Sequence, residues 1–193
     1  MKLVKSWSLN NKLGEQPDEA VRQRHQQSIA LFRSRLYATV EALEANYERF
    51  RIADNLTQIY RLIWDEFCSQ YLEWVKPGKQ EVMDPETYEA TLAFFEELLK
   101  LLHPYMPIIT EEIWHQLRER SDADYLIVAR YSPVRSYDEA VYQQFDHLTE
   151  VLAAVRNFKS RQGIKPTETV GLQVSAADPA FYQHYEPIIR QAA

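Results

Sequence analysis

Residues 102–114 read Leu-His-Pro-Tyr-Met-Pro-Ile-Ile-Thr-Glu-Glu-Ile-Trp, and this stretch predicts a rigid corner between two buried helices. Pro104 disfavours helical geometry in the residue before it, so the apolar helix upstream should end at that point. Pro107 is expected to keep the connection short and extended. Thr110 is typical of a helix N-cap, since its hydroxyl can accept a hydrogen bond from a free backbone N–H. We therefore expect the next helix to run from Thr110 to about Arg120.

Apolar residues at helical spacing predict further helices on both sides of this corner. The predicted bounds are Pro17 to about Arg51, about Ala53 to Val75, Asp84-Pro85 to Leu102, about Tyr137 to Gln162 with Gly163 as the stop, and a last helix opened by Asp178-Pro179. The apolar stripes of the first two are expected to face the core: Ile29, Phe32, Leu36, Val40, Leu43, Tyr47 and Phe50, then Leu56, Ile59, Tyr60, Ile63, Phe67, Tyr71 and Trp74.

The period changes near the C-terminus, where Val170, Leu172 and Val174 alternate with smaller or polar residues and predict a strand. A single strand followed by a single helix cannot form a stable sheet. The predicted fold is therefore a mainly α helical bundle over residues 17–162, with a small truncated α/β appendage over 163–193. Residues 1–16 are expected to be the tail of a preceding domain and a linker, so that both ends look cut from a longer protein.

Composition limits the possible functions of the chain. Its 193 residues are enough to bury one sizeable core, and a single cysteine excludes an internal disulfide and favours a reducing compartment. No apolar run approaches the length of a membrane span. The net charge is −6, yet residues 20–40 and 151–167 contain arginine and lysine but no acidic residue. Basic islands on an acidic chain suit a partner bound at defined places, although solvated helix faces would give the same pattern.

Neither a phosphate-binding loop nor a catalytic constellation is found in the sequence. The GxxxxGK and GxGxxG patterns are absent, and Cys68 lies in an apolar helix without a base predicted beside it. Glu112 and His115 have the Glu-x-x-His spacing of di-iron bundles, but such sites need a second copy of this motif, which the sequence lacks. We therefore expect no catalytic residue, no metal site and no cofactor in this chain.

One face of the second predicted helix carries a possible nucleic-acid contact. Cys68, Leu72 and Lys76 recur every four residues, and Glu73 lies beside them. Leu72 at the edge of the apolar stripe could stack on a base. Glu73 could accept a hydrogen bond from a base amino group, and Lys76 could meet a phosphate. The alternative is an ion pair between Glu73 and Lys76 beside a peripheral core leucine.

Three segments together resemble a known family. They are Trp64-Asp-Glu-Phe-Cys-Ser-Gln-Tyr-Leu-Glu-Trp-Val-Lys-Pro77, the corner from Leu101 to Trp114, and Val155-Arg-Asn-Phe-Lys159 through Pro166. The chain resembles, over essentially its whole length, the anticodon-binding domain of class I valyl-tRNA synthetases. The resemblance implies a helical bundle that grips the anticodon stem and loop of tRNA(Val). It also implies a cytoplasmic, monomeric parent that uses ATP with magnesium.

The family's catalytic signatures, HIGH and KMSKS, have no counterpart in the sequence, so the catalytic sites would lie in the remainder of the synthetase chain. The resemblance implies that anticodon bases contact Lys2, Leu3, Cys68, Leu72 and Glu73, and Lys76 lies on the same helix face. Basic residues give the candidate contacts to the RNA backbone: Arg33, Arg35, Arg156, Lys159 and Arg161. Three alternative functions stay open: a helical protein-interaction scaffold, a di-iron oxidase, and the anticodon domain of an isoleucyl or leucyl enzyme.

Overall fold

The computed structural model describes residues 17–78, 81–121, 123–131, 136–165, 168–175 and 179–192. Regular structure in these ranges is helical. The segments are α1 (Glu19–Glu48), α2 (Ile52–Arg61), a π-helical segment π1 (Leu62–Tyr71), α3 (Leu72–Val75), α4 (Pro85–Leu102), α5 (Pro107–Leu117), a 3-10 turn (Leu126–Val128), α6 (Glu139–Arg161), α7 (Pro179–His184) and α8 (Glu186–Ala192). Within the described ranges, none of the helices combines the length and the apolar character that a membrane crossing requires.

Helix α1 is the centre of the bundle and packs against α2, π1, α3, α4, α6 and α8. Phe32 on α1 lies at the middle of the core, with its ring 5.3 Å from that of Phe67, 5.0 Å from that of Tyr71 and 5.0 Å from that of Phe94. Burial of such rings is a main source of stability in a bundle of this size. The predicted helical bundle is confirmed by this packing.

The first helix is shorter at both ends than its sequence pattern predicts. Asp18 caps it and Pro17 precedes it. The chain leaves the helix after Glu48, and Phe50 then takes a left-handed backbone conformation with φ 58°. Because the helical register stops there, Phe50 is 87% exposed and Tyr47 is also exposed. Their prediction as core residues is wrong, while the stripe from Ile29 to Leu43 packs inward.

The second predicted helix is continuous from Ile52 to Val75, but its middle is a π-helix rather than an α-helix. Such segments have backbone hydrogen bonds from residue i to i+5 and widened turns. The widened register changes which side chains face inward. Ile59, Phe67, Tyr71 and Trp74 are buried, whereas Leu56 and Tyr60 are exposed, so the prediction of these last two as core residues is wrong.

The corner after α4 is built differently from the sequence prediction. α4 has the predicted cap at Asp84 and ends at Leu102 as expected. The next helix, however, begins at Pro107 and ends at Leu117, because proline at the first helical position has the φ angle that a helix requires. Thr110 is therefore inside α5 and is not an N-cap. Its Oγ1 lies 2.8 Å from the Met106 carbonyl oxygen and 2.8 Å from Nδ1 of His103. These hydrogen bonds join α5 to the end of α4 and stabilise the corner.

The predicted α/β appendage is also wrong. Residues 168–175 form no strand, and Leu172 and Val174 are exposed. A strand is stable only when its backbone groups pair with a neighbour, and the described part of the chain offers no such neighbour. The residues that follow form α7 and α8, whose Tyr185 and Ile188 are buried in the same core as the bundle. Gly163, with φ 67°, ends α6 as predicted.

The left-handed conformation of Phe50 leads to a prediction about stability. Phe50→Gly should raise the free energy of unfolding by about 0.5–1 kcal/mol, because glycine reaches positive φ without the Cβ clash. Urea unfolding followed by circular dichroism would measure the difference. Phe50→Ala keeps the Cβ and is the matched control. Equal stability of the glycine and alanine variants would contradict the assignment of strain to this backbone.

Candidate functional site

The helix face with the predicted base contacts lies where π1 passes into α3. Cys68 is exposed on π1, and burial of part of its side chain raises the pKa of the thiol. Leu72 is only 9% exposed and belongs to the hydrophobic core, so the prediction that it stands at an accessible edge is wrong. Lys76 Nζ lies 3.5 Å from Glu73 Oε2, and both side chains are nearly half exposed. The arrangement matches the alternative reading, an ion pair beside a core leucine.

The chain that leaves α3 is held in place by hydrogen bonds between its backbone and the side chains of Gln191 and Glu81. Gln191 of α8 donates through Nε2 to the Lys76 carbonyl oxygen at 3.1 Å. Two residues later, the Gly78 N–H donates to Glu81 Oε2 at 2.9 Å. These two contacts fix the backbone at Lys76 and Gly78, just after the end of α3.

A buried arginine organises this end of the bundle. Arg24 on α1 is 4% exposed, and its guanidinium donates to both carboxylate oxygens of Glu81, at 2.7 and 3.2 Å. It also lies 3.5 Å from Oε1 of Gln191. The hydrogen bonds from Arg24 are the main reason that the pKa of Glu81 is lowered, against the opposing effect of burial. A paired charge of this kind joins α1, the loop before α4 and α8.

A second polar contact lies beside the first. His25 Nδ1 is 2.8 Å from Asp84 Oδ2, while Asp84 Oδ1 accepts the Thr87 N–H at 2.7 Å and so caps α4. Burial alone would raise the pKa of Asp84, but the hydrogen bonds from His25 and Thr87 outweigh it and lower the pKa to about 2. One carboxylate thus links the start of α1 to the start of α4.

The five basic candidates for RNA backbone contacts fall into two groups. Arg33, Arg156 and Arg161 are exposed, and Arg156 Nε donates to the Ala192 carbonyl oxygen at 3.1 Å. Arg35 instead pairs with both oxygens of Glu66, at 2.7 and 2.9 Å, and its guanidinium lies 4.9 Å from the centre of the Tyr142 ring. Lys159 is buried. Lys2 and Leu3 lie outside the described residues.

The acid and histidine pattern on α5 does not build a metal site. His115 Nε2 pairs with Glu111 Oε1 at 3.2 Å, one turn away on the same helix. In the described ranges no three histidine, cysteine, aspartate or glutamate side chains come together as metal ligands. The geometry of this helix therefore gives no support to the di-iron alternative.

An exposed aromatic pair was missed as a site by the sequence reasoning, which placed Tyr60 in the core. Tyr60 and Trp64 are 59% and 60% exposed, and their rings are nearly parallel, with centres 6.4 Å apart. Their four-residue spacing extends the series of Cys68, Leu72 and Lys76 towards the N-terminus. This spacing was the available signal, but the π-helical segment that follows Tyr60 and contains Trp64, and that shifts which side of the helix faces the core, could not be seen in the sequence.

Comparison with known proteins relates the chain to one domain of tRNA ligases. The family described as anticodon-binding domain of tRNA ligase matches residues 30–175. The valine–tRNA ligase of Christiangramia forsetii is 41% identical over 84% of this chain, and those of Parabacteroides distasonis and Thermosynechococcus vestitus are 35% and 34% identical over 90% and 87%. The chain spans about a fifth of the length of these curated relatives, 18–19%.

The buried ion pair leads to a prediction about stability. Arg24→Ala should lower the free energy of unfolding by about 3 kcal/mol, because it leaves the Glu81 carboxylate without its partner. Arg22→Ala, which removes an exposed arginine paired with Glu19 on the same helix, is the matched control and should change it by less than about 1 kcal/mol. Urea denaturation would measure both, and a similar small loss for the two variants would contradict the role given to Arg24.

Asp84 leads to a prediction about pH. Its pKa in the fold is about 2, below the ordinary value of about 3.9 expected in the unfolded chain. The contribution of ionised Asp84 to the free energy of unfolding is therefore fully present above about pH 4, and it is lost as the pH falls towards 2. Between pH 5 and pH 2, urea unfolding should show a smaller loss of stability for Asp84→Asn than for the unsubstituted chain. Asp54→Asn, at an exposed carboxylate of α2, should keep the unsubstituted pH profile. Parallel profiles for the Asp84 variant and the unsubstituted chain would contradict the assignment.

Proposed function

The chain belongs to the anticodon-binding domain family of tRNA ligases, and from this premise we propose that it binds the anticodon stem and loop of tRNA(Val). The observation that carries the proposal is the family match over residues 30–175 together with relatives that are valine–tRNA ligases. Those relatives favour tRNA(Val) over the tRNAs of isoleucyl or leucyl enzymes.

The parent protein, in this proposal, is a cytoplasmic, monomeric valine–tRNA ligase that activates valine with ATP and magnesium and esterifies it to tRNA(Val). The chain spans only about a fifth of the length of its relatives, 18–21%, and it lacks the HIGH and KMSKS signatures. We therefore place the ATP and valine sites in the remainder of the synthetase, and we assign RNA binding to this bundle.

Base recognition is assigned to the exposed polar groups at the junction of π1 and α3. The 3.5 Å contact between Glu73 and Lys76 is half exposed, and an exposed pair of this kind is held by less than about 1 kcal/mol. The ion pair can therefore separate at a small cost in free energy. Glu73 can then accept a hydrogen bond from a base amino group, and Lys76 can contact a phosphate. Cys68 adds contact surface beside them, and Leu72 supports the face from the core.

Contacts to the RNA backbone are assigned to Arg33, Arg156 and Arg161, whose exposed guanidinium groups can reach phosphates. Arg35 has a different task in this proposal, since its pairing with Glu66 ties π1 to α1. Lys159 is buried, and we give it a structural role. Lys2 and Leu3 stay in the proposal on the strength of the resemblance.

The test of the proposal is a titration of the 193-residue chain with the anticodon stem-loop of tRNA(Val). The valine anticodon should bind more tightly than a stem-loop with altered anticodon bases, and the logarithm of the binding constant should fall linearly with the logarithm of salt concentration. Equal affinity for both stem-loops, or no binding at low salt, would contradict the proposal.

A substitution of Glu73 tests the proposed base contact most directly. Glu73→Gln should weaken binding of the valine stem-loop about tenfold and reduce its preference over the altered anticodon, because one base contact is worth roughly 1–3 kcal/mol. Asp54→Asn is the matched control, since it also breaks an exposed ion pair of three-residue spacing, with Arg51. If both variants bind alike, the assignment of Glu73 is wrong.

A further inference from the structure

Two exposed aromatic rings on α2 and π1 have no task in the function proposed so far. Tyr60 and Trp64 are each about three-fifths exposed, at 59% and 60%, and their planes differ by only 13°. The described residues contain other near-parallel ring pairs, Phe67 with Tyr71 and Phe67 with Phe95, but these pairs include Phe67, which is buried. A flat aromatic surface that faces solvent is an unusual feature of a folded domain.

The bundle holds this surface outward by contacts on the opposite side of the same helices. Asn55 of α2 is buried and donates through Nδ2 to the Leu43 carbonyl oxygen at 3.1 Å. Glu66 of π1 binds Arg35 of α1 through both carboxylate oxygens. Because both helical segments are fixed to α1 in this way, Tyr60 and Trp64 cannot turn into the core without breaking buried polar contacts.

The aromatic pair is continuous with the proposed base-binding face. Tyr60, Trp64 and Cys68 follow one another every four residues and are all exposed. These three side chains span about two helical turns, from the end of α2 into π1, so the two rings lie next to the exposed thiol of Cys68. Arg61, also exposed, follows Tyr60 in the chain and puts a positive charge on the same helical turn.

We propose that Tyr60 and Trp64 form a stacking platform for unpaired bases of the RNA loop that Glu73 and Lys76 contact. Unpaired bases in RNA loops are bound by stacking on exposed aromatic side chains and on arginine, and the family to which the chain belongs is an anticodon-binding one. The platform rests on the proposed function and extends it along the helix by two turns. It binds base faces and so adds affinity without selecting one base over another.

The test uses the 193-residue chain and the anticodon stem-loop of tRNA(Val). Trp64→Ala should weaken binding about tenfold, and Trp64→Phe should restore most of the loss, because stacking on one base is worth roughly 1–3 kcal/mol. Tyr125→Ala, which removes a ring that is 49% exposed in the loop after α5, is the matched control and should leave binding unchanged. The preference for the valine anticodon should persist in Trp64→Ala, in contrast to Glu73→Gln.

A second readout follows Trp64 directly. With 5-fluorotryptophan incorporated, the fluorine resonance of Trp64, assigned by its absence in Trp64→Phe, should shift when the stem-loop is added. If the Trp64 resonance does not change when RNA is added, and Trp64→Ala binds with full affinity, the stacking platform is overturned. Binding of the stem-loop by the unsubstituted chain would in that case still uphold the proposed function. If the Trp64 resonance shifts only as the protein concentration rises, in the absence of RNA, the stacking platform is overturned and the rings instead contact a second copy of the chain. Failure of the unsubstituted chain to bind RNA rejects both.

Discussion

A buried positive charge near the start of the first helix is the constraint on which this end of the bundle depends. Arg24 is almost fully enclosed and needs an anion, which Glu81 supplies from the loop before α4. Gln191 of α8 accepts a hydrogen bond from the same guanidinium and donates one to the Lys76 carbonyl oxygen. An unpaired charge at this depth would be strongly destabilising, so α1, the exit from α3, the start of α4 and α8 have to meet at one place.

The proposed RNA-binding face depends on that junction for its position. The backbone at Lys76 is fixed from outside the helix, while Arg35 fixes π1 from the other side through Glu66. Around these two attachments the chain presents Trp64, Cys68 and Glu73 on a continuous stretch of helix. π-Helical segments inside α-helices are rare and are frequently found at functional sites. Here Trp64 faces outward from this segment while Phe67 and Tyr71 remain in the core.

The sequence was sufficient for the helices and for much of the core, because amphipathic periodicity and capping chemistry act locally. Asp84 with Pro85 and the glycine at 163 set helix ends as predicted. The errors arose where a local rule met tertiary structure. Pro107 began a helix that the pattern assigned to Thr110, and Leu172 and Val174 had the alternation of a strand but no partner to pair with. Tyr60 and Phe50 followed the apolar stripe, although a changed helical register and a helix end left them exposed.

The most direct measurement of the central claim is a structure of the chain bound to the anticodon stem-loop of tRNA(Val). The account predicts that anticodon bases lie within hydrogen-bond distance of Glu73, with the ion pair to Lys76 opened and loop bases stacked over Trp64. An RNA seated elsewhere, for example against the exposed Ile108 and Ile127 beside the corner, with Glu73 and Lys76 still paired, would contradict it.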